Sequence, residues 1–146
     1  MTRWVFAFAS MLLLILPLTT TGCSKSNTIE GVVDHKQMEG VKGGMQCSFL
    51  LSRTGDDGTP ENSVYDDDFR ACFPVRGELV VSEQIENQLK VVYSDFVYHV
   101  SVRRSPGDTL DYLTTREIFN EMNPGATVKL RVSTSSGVPR TLKIID

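Results

Sequence analysis

Phe96-Val97-Tyr98-His99-Val100-Ser101-Val102-Arg103 is the stretch on which the fold turns. From Phe96 every second residue is bulky and apolar, and His99, Ser101 and Arg103 fall between them. A period of two places Phe96, Tyr98, Val100 and Val102 on one face of a strand and the polar residues on the other. Val128, Leu130 and Val132 repeat the pattern, with Lys129, Arg131 and Ser133 expected to face water, and Leu142 and Ile144 repeat it near the end. Ser135-Ser136-Gly137 has the chemistry of a hairpin turn between those two runs, and Pro139 limits where pairing resumes.

Earlier segments extend the same reading. Ile29–His35, Gln46–Ser52, Phe69–Phe73, Glu78–Ser82 and Leu89–Tyr93 are further strand candidates. One helix interrupts them. Thr114 or Thr115 can cap Arg116–Met122, which brings Ile118, Phe119 and Met122 to one side before Asn123-Pro124-Gly125 ends it. Asp111, Tyr112 and Leu113 lead into that cap. So short a helix needs tertiary packing, and it is expected to plug a barrel end or cover a sheet edge. The predicted class is mainly β: a small antiparallel barrel or sandwich, OB-like or SH3-like, with one short helix between the fourth and fifth principal strands.

The N-terminus is built differently. Arg3 precedes an apolar run from Trp4 to Leu18, interrupted at Ser10 and Pro17, and Thr19-Thr20-Thr21-Gly22 then leads to Cys23. As a helix, Trp4–Leu18 would span about 22 Å against a hydrocarbon core of about 30 Å, too short to cross. A charged start, a short apolar stretch and a small-residue exit make residues 1–22 a secretory signal peptide. Thr20-Thr21-Gly22-Cys23 at its end resembles the lipobox of bacterial lipoproteins, departing from it at Thr20, where that family carries leucine. The resemblance implies a diacylglycerol on the Cys23 thiol and cleavage before it. Two or more acyl chains of the palmitate kind hold a protein stably on a membrane where one does not. Ser24 after the cysteine implies, in a two-membrane envelope, an outer-membrane lipoprotein facing the periplasm.

With Cys23 assigned to lipid, Cys47 and Cys72 remain, and an oxidising compartment predicts a disulfide between them. Closing that loop of about 25 residues would contribute about 3 kcal/mol. It would staple a segment rich in loop chemistry, Gly55 to Ser63, followed by Asp66-Asp67-Asp68. Residues 23–28 are read as a lipid-anchored tether and 29–146 as a single β-rich domain, since roughly 120 residues suit one domain.

The whole chain carries a net charge of −3, and removing Arg3 with the signal peptide makes the domain more acidic. That balance argues against a nucleic-acid partner, which requires a basic face. Of the two histidines, His99 sits on the polar side of its strand and His35 follows Asp34 near the end of the first; both are read as surface side chains. A Ser-His-Asp set can assemble from distant positions, but no nucleophile-elbow motif marks one.

Asp56, Asp57, Glu61, Asp66, Asp67 and Asp68 match no calcium loop. Met38, Met45 and Cys47 offer a weak soft-metal set, and Gly40–Gly44 lacks the spacing of a phosphate loop. No cofactor or metal site is therefore expected. Tyr65, Asp66, Asp67, Asp68 and Phe69 combine aromatics with a charged rim and form the candidate partner-binding patch, since interfaces rely on aromatic anchors. The functional expectation is a membrane-anchored, non-catalytic envelope lipoprotein that binds another protein. A small-ligand or metal carrier is the alternative, and a hydrolase with dispersed residues the third class.

Overall fold

The computed structural model describes residues 26–105, 107–135 and 137–145, with the side chains of 47–49 outside that set. The signal segment and Cys23 lie outside the described residues. The fold is mainly β, with seven strands among the described residues, β1 (Ser26–Lys42), β2 (Met45–Thr54), β3 (Pro60–Val64), β4 (Asp95–Arg103), β5 (Thr109–Thr114), β6 (Thr127–Ser135) and β7 (Val138–Ile144). Three helices accompany them: α1 (Asp67–Arg70) and α2 (Glu83–Leu89) between β3 and β4, and α3 (Arg116–Glu121) between β5 and β6.

Strand β1 organises the sheet. One edge pairs antiparallel with β4 from Val32 to Val41. The other edge pairs with β6 from Ser26 to Val32 and then with β2 from His35 to Lys42. On that edge β1 exchanges β6 for β2, and Gly31 sits close to the exchange. A Cβ there would lie 2.6 Å from the Arg103 carbonyl oxygen, so only glycine admits the crossing. Five strands then close a ring in the order β1–β4–β5–β7–β6–β1, sealed by the parallel pair Leu113↔Arg140. Within the ring the fifth strand lies between the third and fourth, an order in keeping with a sandwich or barrel-like β fold. The helix follows the third ring strand, one strand earlier than expected. The β2–β3 hairpin, α1 and α2 form an insertion between the first two ring strands.

Two cores result. Val33, Val100, Val102, Tyr112, Met122, Leu130 and Val132 fill the ring. Met38, Leu50, Phe69, Phe73, Leu79, Val81, Leu89, Tyr93, Tyr98 and Phe119 pack the insertion against the other end of β1 and β4. Helix α3, capped by Thr115, contributes Met122 to the first core and Phe119 to the second. It therefore plugs one end of the ring.

Between the cores lies a charged side chain that alternation alone would place outside. Lys36 is fully buried. Its Nζ donates to the Leu79 carbonyl at 2.8 Å and the Phe119 carbonyl at 3.0 Å, and lies 4.7 Å from the Phe119 ring centroid. One ammonium thus satisfies the end of α3 and the extended segment of the insertion together. Asn120 reinforces the join, accepting from the Val81 N–H and donating to the Val81 carbonyl. Arg116 adds an ion pair to Glu86 at 2.9 Å, and Tyr98 donates to the same carboxylate.

Several sequence expectations are corrected. Ser26–Thr28 are already strand, paired to Ser133–Arg131, so the domain begins before residue 29. Phe69–Phe73 and Leu89–Tyr93 are helix ends and turns, because Asp66 and Ser82 cap helices just upstream. Glu78–Ser82 is extended without strand pairing. Pro60–Val64 and Thr109–Thr114, read as loop and lead-in, are strands β3 and β5. An irregularity between Arg131 and Val132 buries Ser133 and Thr141 and leaves Leu142 exposed, since a one-residue slip exchanges the faces.

Burial lowers the Lys36 pKa to about 8, with Glu78 pulling it back up. Between pH 8 and the ordinary lysine value the unfolded chain holds more protons, so this group makes stability rise with pH there. Urea unfolding should show the protein gaining about 2 kcal/mol from this lysine between pH 7.5 and 9.5, a rise missing in Lys36→Met. Burial and the Glu86 bond push the Tyr98 hydroxyl upward, which reverses the trend above pH 10 and sets the upper end of the comparison. Parallel pH curves for the two proteins would refute the assignment of the buried charge.

Candidate functional site

The polar face of the ring is where the structure gathers chemistry. On β1 the residues after Asp34 alternate, with Lys36, Met38 and Gly40 inward and His35, Gln37 and Glu39 outward. Asp34 is the extra residue of a β-bulge, since Val33 pairs with Val102 and His35 with Ser101. Bulges re-aim side chains. Here the bulge delivers His35 opposite Ser101 on β4, and Ser101 opposite Asp111 on β5.

The outcome is a hydrogen-bonded chain across three strands. His35 Nδ1 lies 3.1 Å from Asp34 Oδ2, and His35 Nε2 lies 2.9 Å from Ser101 Oγ. Ser101 Oγ in turn donates to Asp111 Oδ1. Carboxylate, imidazole and hydroxyl in that sequence are the components of an acyl-transfer triad, but the proton assignment differs. Ser101 has one proton, and the ionised Asp111 can only accept it. With that proton given to Asp111, the Ser101 oxygen meets His35 Nε2 with no proton left to yield to it. Ser101 is also 1% exposed, so its oxygen is closed to a substrate.

Next along the face, His99 Nε2 lies 3.9 Å from Glu39 Oε2 without a hydrogen bond, and Glu39 accepts from Gln37. Both histidines are thus half-buried members of one polar face rather than isolated surface groups. Among the described residues no cluster of three or more His, Cys, Asp or Glu side chains could hold a metal ion. Met38 is in the core and Met45 is exposed, so the soft-metal set is dispersed.

Beside the bulge lies a pocket of about 220 Å³, walled by Asp34, Arg53, Thr54, Arg103 and Gly125 together with residues 32 and 33 of β1. Gly125 N–H donates to the Val33 carbonyl at 2.8 Å, and Val33 N–H donates to the Ala126 carbonyl at 2.9 Å. These two bonds hold the bulge open against the loop after α3.

The candidate partner patch is divided by the fold. Phe69 is fully buried against Phe73 and Tyr93 and belongs to the core, which corrects its place in the patch. Tyr65 is 62% exposed, Asp66 caps α1 by accepting from the Asp68 N–H, and Asp67 and Asp68 are exposed in its first turn. Asp57 is held by Thr59 and Arg76, with the Thr59 hydroxyl first in lowering its pKa. Cys72 carries a free, half-buried thiol 4.0 Å from Gln88 Oε1, and burial followed by Asp68 raises its pKa. The Cys47 side chain lies outside the described residues.

No helix among the described residues is long and apolar enough to cross a membrane. Comparison with known proteins returns no match: no family model fits the chain, and no curated protein or solved structure is similar to it.

Ser101→Ala leaves Asp111 without its donor and His35 Nε2 without its hydrogen-bond partner. The expected loss is about 1–3 kcal/mol of stability by urea titration, with the sheet retained by circular dichroism. A variant as stable as the parent would show that the chain of bonds carries no weight.

Proposed function

We propose that the protein is a membrane-anchored envelope lipoprotein whose OB-like domain is a non-catalytic module binding another envelope protein. The supporting observation is Ser101. The one serine-histidine-carboxylate set on the polar face spends its hydroxyl proton on Asp111 and buries the oxygen, an arrangement that stiffens a surface rather than attacks a substrate. Tyr65 and the acidic first turn of α1 offer an aromatic anchor with a charged rim for the partner.

The anchor reading follows from residues 1–23. Because β1 begins at Ser26, only Ser24 and Lys25 separate the lipid-bearing cysteine from the sheet, a reach of about 10 Å at full extension. The β1–β6 end of the ring would then rest close to the bilayer. The Cys72 thiol is free here, and on the same reading it would be oxidised with Cys47 on export, since an exported domain reaches an oxidising compartment.

Cys23→Ser should release the domain from the membrane fraction and leave the precursor uncut; unchanged fractionation and unchanged mature mass would overturn the anchor. For the module, Tyr65→Ala should lose a stably captured envelope protein while retaining its fold. The hydrolase reading, favoured only by the Ser101–His35–Asp34 order, predicts ester or amide turnover abolished in Ser101→Ala. The binding reading predicts no turnover in either protein.

A further inference from the structure

We propose that the pocket at the β1 bulge binds a phosphate monoester of a small polyol or sugar. Its walls carry two guanidinium groups, Arg53 from β2 and Arg103 from β4, and both residues are exposed. Neither side chain has an ion-pair or hydrogen-bond partner among the described residues. In a chain with a net charge of −3, two unpaired arginines against the one carboxylate of Asp34 leave this pocket a local positive field suited to an anion.

The geometry selects the kind of anion. Strands β2 and β4 flank β1 on opposite edges, and Arg103 lies two residues beyond the Ser101 position that faces the Arg53 level, so the two arginine backbones stand about 12 Å apart on two sides of the pocket. A single carboxylate is planar and offers only one edge that matches a guanidinium fork bidentately. A tetrahedral phosphate with three terminal oxygens accepts a fork from each side. The volume of about 220 Å³ admits a phosphate with a short polyol or sugar. Asp34 gives Oδ2 to His35, and its second oxygen is the acceptor for a ligand hydroxyl, with the Thr54 hydroxyl on the same wall. Gly125 keeps this wall thin: its φ is +86°, and a Cβ would come within 3.0 Å of Thr54 Oγ1.

A soluble phosphate ester and a lipid ending in a phosphate monoester share this chemistry. The inference goes beyond the protein-binding reading and is independent of the anchor. Cys23→Ser should bind the ester as the parent does, so failure of one reading is told apart from failure of the other.

Calorimetric titration of the purified full chain with glycerol 3-phosphate should show saturable binding that weakens with salt. Arg53→Gln and Arg103→Gln, which keep most of each stem, should each weaken it about tenfold or more, and the double variant should abolish it. Vesicles containing phosphatidic acid, set against phosphatidylglycerol vesicles, distinguish the sources. Arginine-dependent preference for phosphatidic acid identifies the lipid headgroup, and binding of the soluble ester without that preference identifies the free ester. Absence of saturable binding to both probes, or equal binding by the double variant, overturns the proposal.

Discussion

The Lys36 ammonium has been taken out of water and must be satisfied where it sits, and the two carbonyls that satisfy it come from distant parts of the chain. An uncompensated buried charge costs several kcal/mol, so the fold can place Lys36 inward only if Leu79 and Phe119 arrive together. That requirement couples three things: the C-terminal half of β1, the extended segment of the insertion, and the helix that plugs the ring. The Phe119 ring beneath the ammonium and the Asn120 bonds to Val81 belong to the same junction. The two apolar cores meet there, and neither is complete without α3.

The same strand that buries Lys36 on one face presents His35 on the other. The bulge at Asp34 makes both possible, because it lets Val33 and Lys36 face inward with two residues between them. The cost of an unpaired bulge residue is offset locally: the Asp34 carboxylate meets His35, and the neighbouring backbone is held by Gly125 and Ala126. Interior and exterior are therefore set by one irregularity. It gives the ring its curvature, aligns the Asp34–His35–Ser101–Asp111 chain, and opens the arginine-lined pocket beside it.

Much of the fold was legible from residue types. Tyr98, Val100 and Val102 point inward as their alternation predicts, and Phe119 and Met122 pack from a helix capped at Thr115. Where reading failed, a specific competing effect is visible. Lysine at an inward position and an extra residue at Asp34 disguised most of β1, so a long strand read as a short one. Asp66 and Ser82 start helices whose apolar residues are too few for a helical period to show against a β background. The irregularity near Val132 moved Thr141 inward and Leu142 outward, which no alternation rule anticipates.

The candidate site was less legible, for a physical reason. His35, Ser101 and Asp111 are each ordinary on a polar strand face, and only the cross-strand register makes them neighbours. Arg53 and Arg103 share a pocket because β1 lies between their strands, a relation without a sequence interval. Local chemistry by itself determined the mainly β class and the capped helix, since periodicity and capping act within a few residues. Tertiary structure alone decided the ring closure, the burial of Lys36, the loss of Phe69 to the core and the assembly of the polar face. Each depends on groups from distant segments satisfying one another only after the sheet has closed.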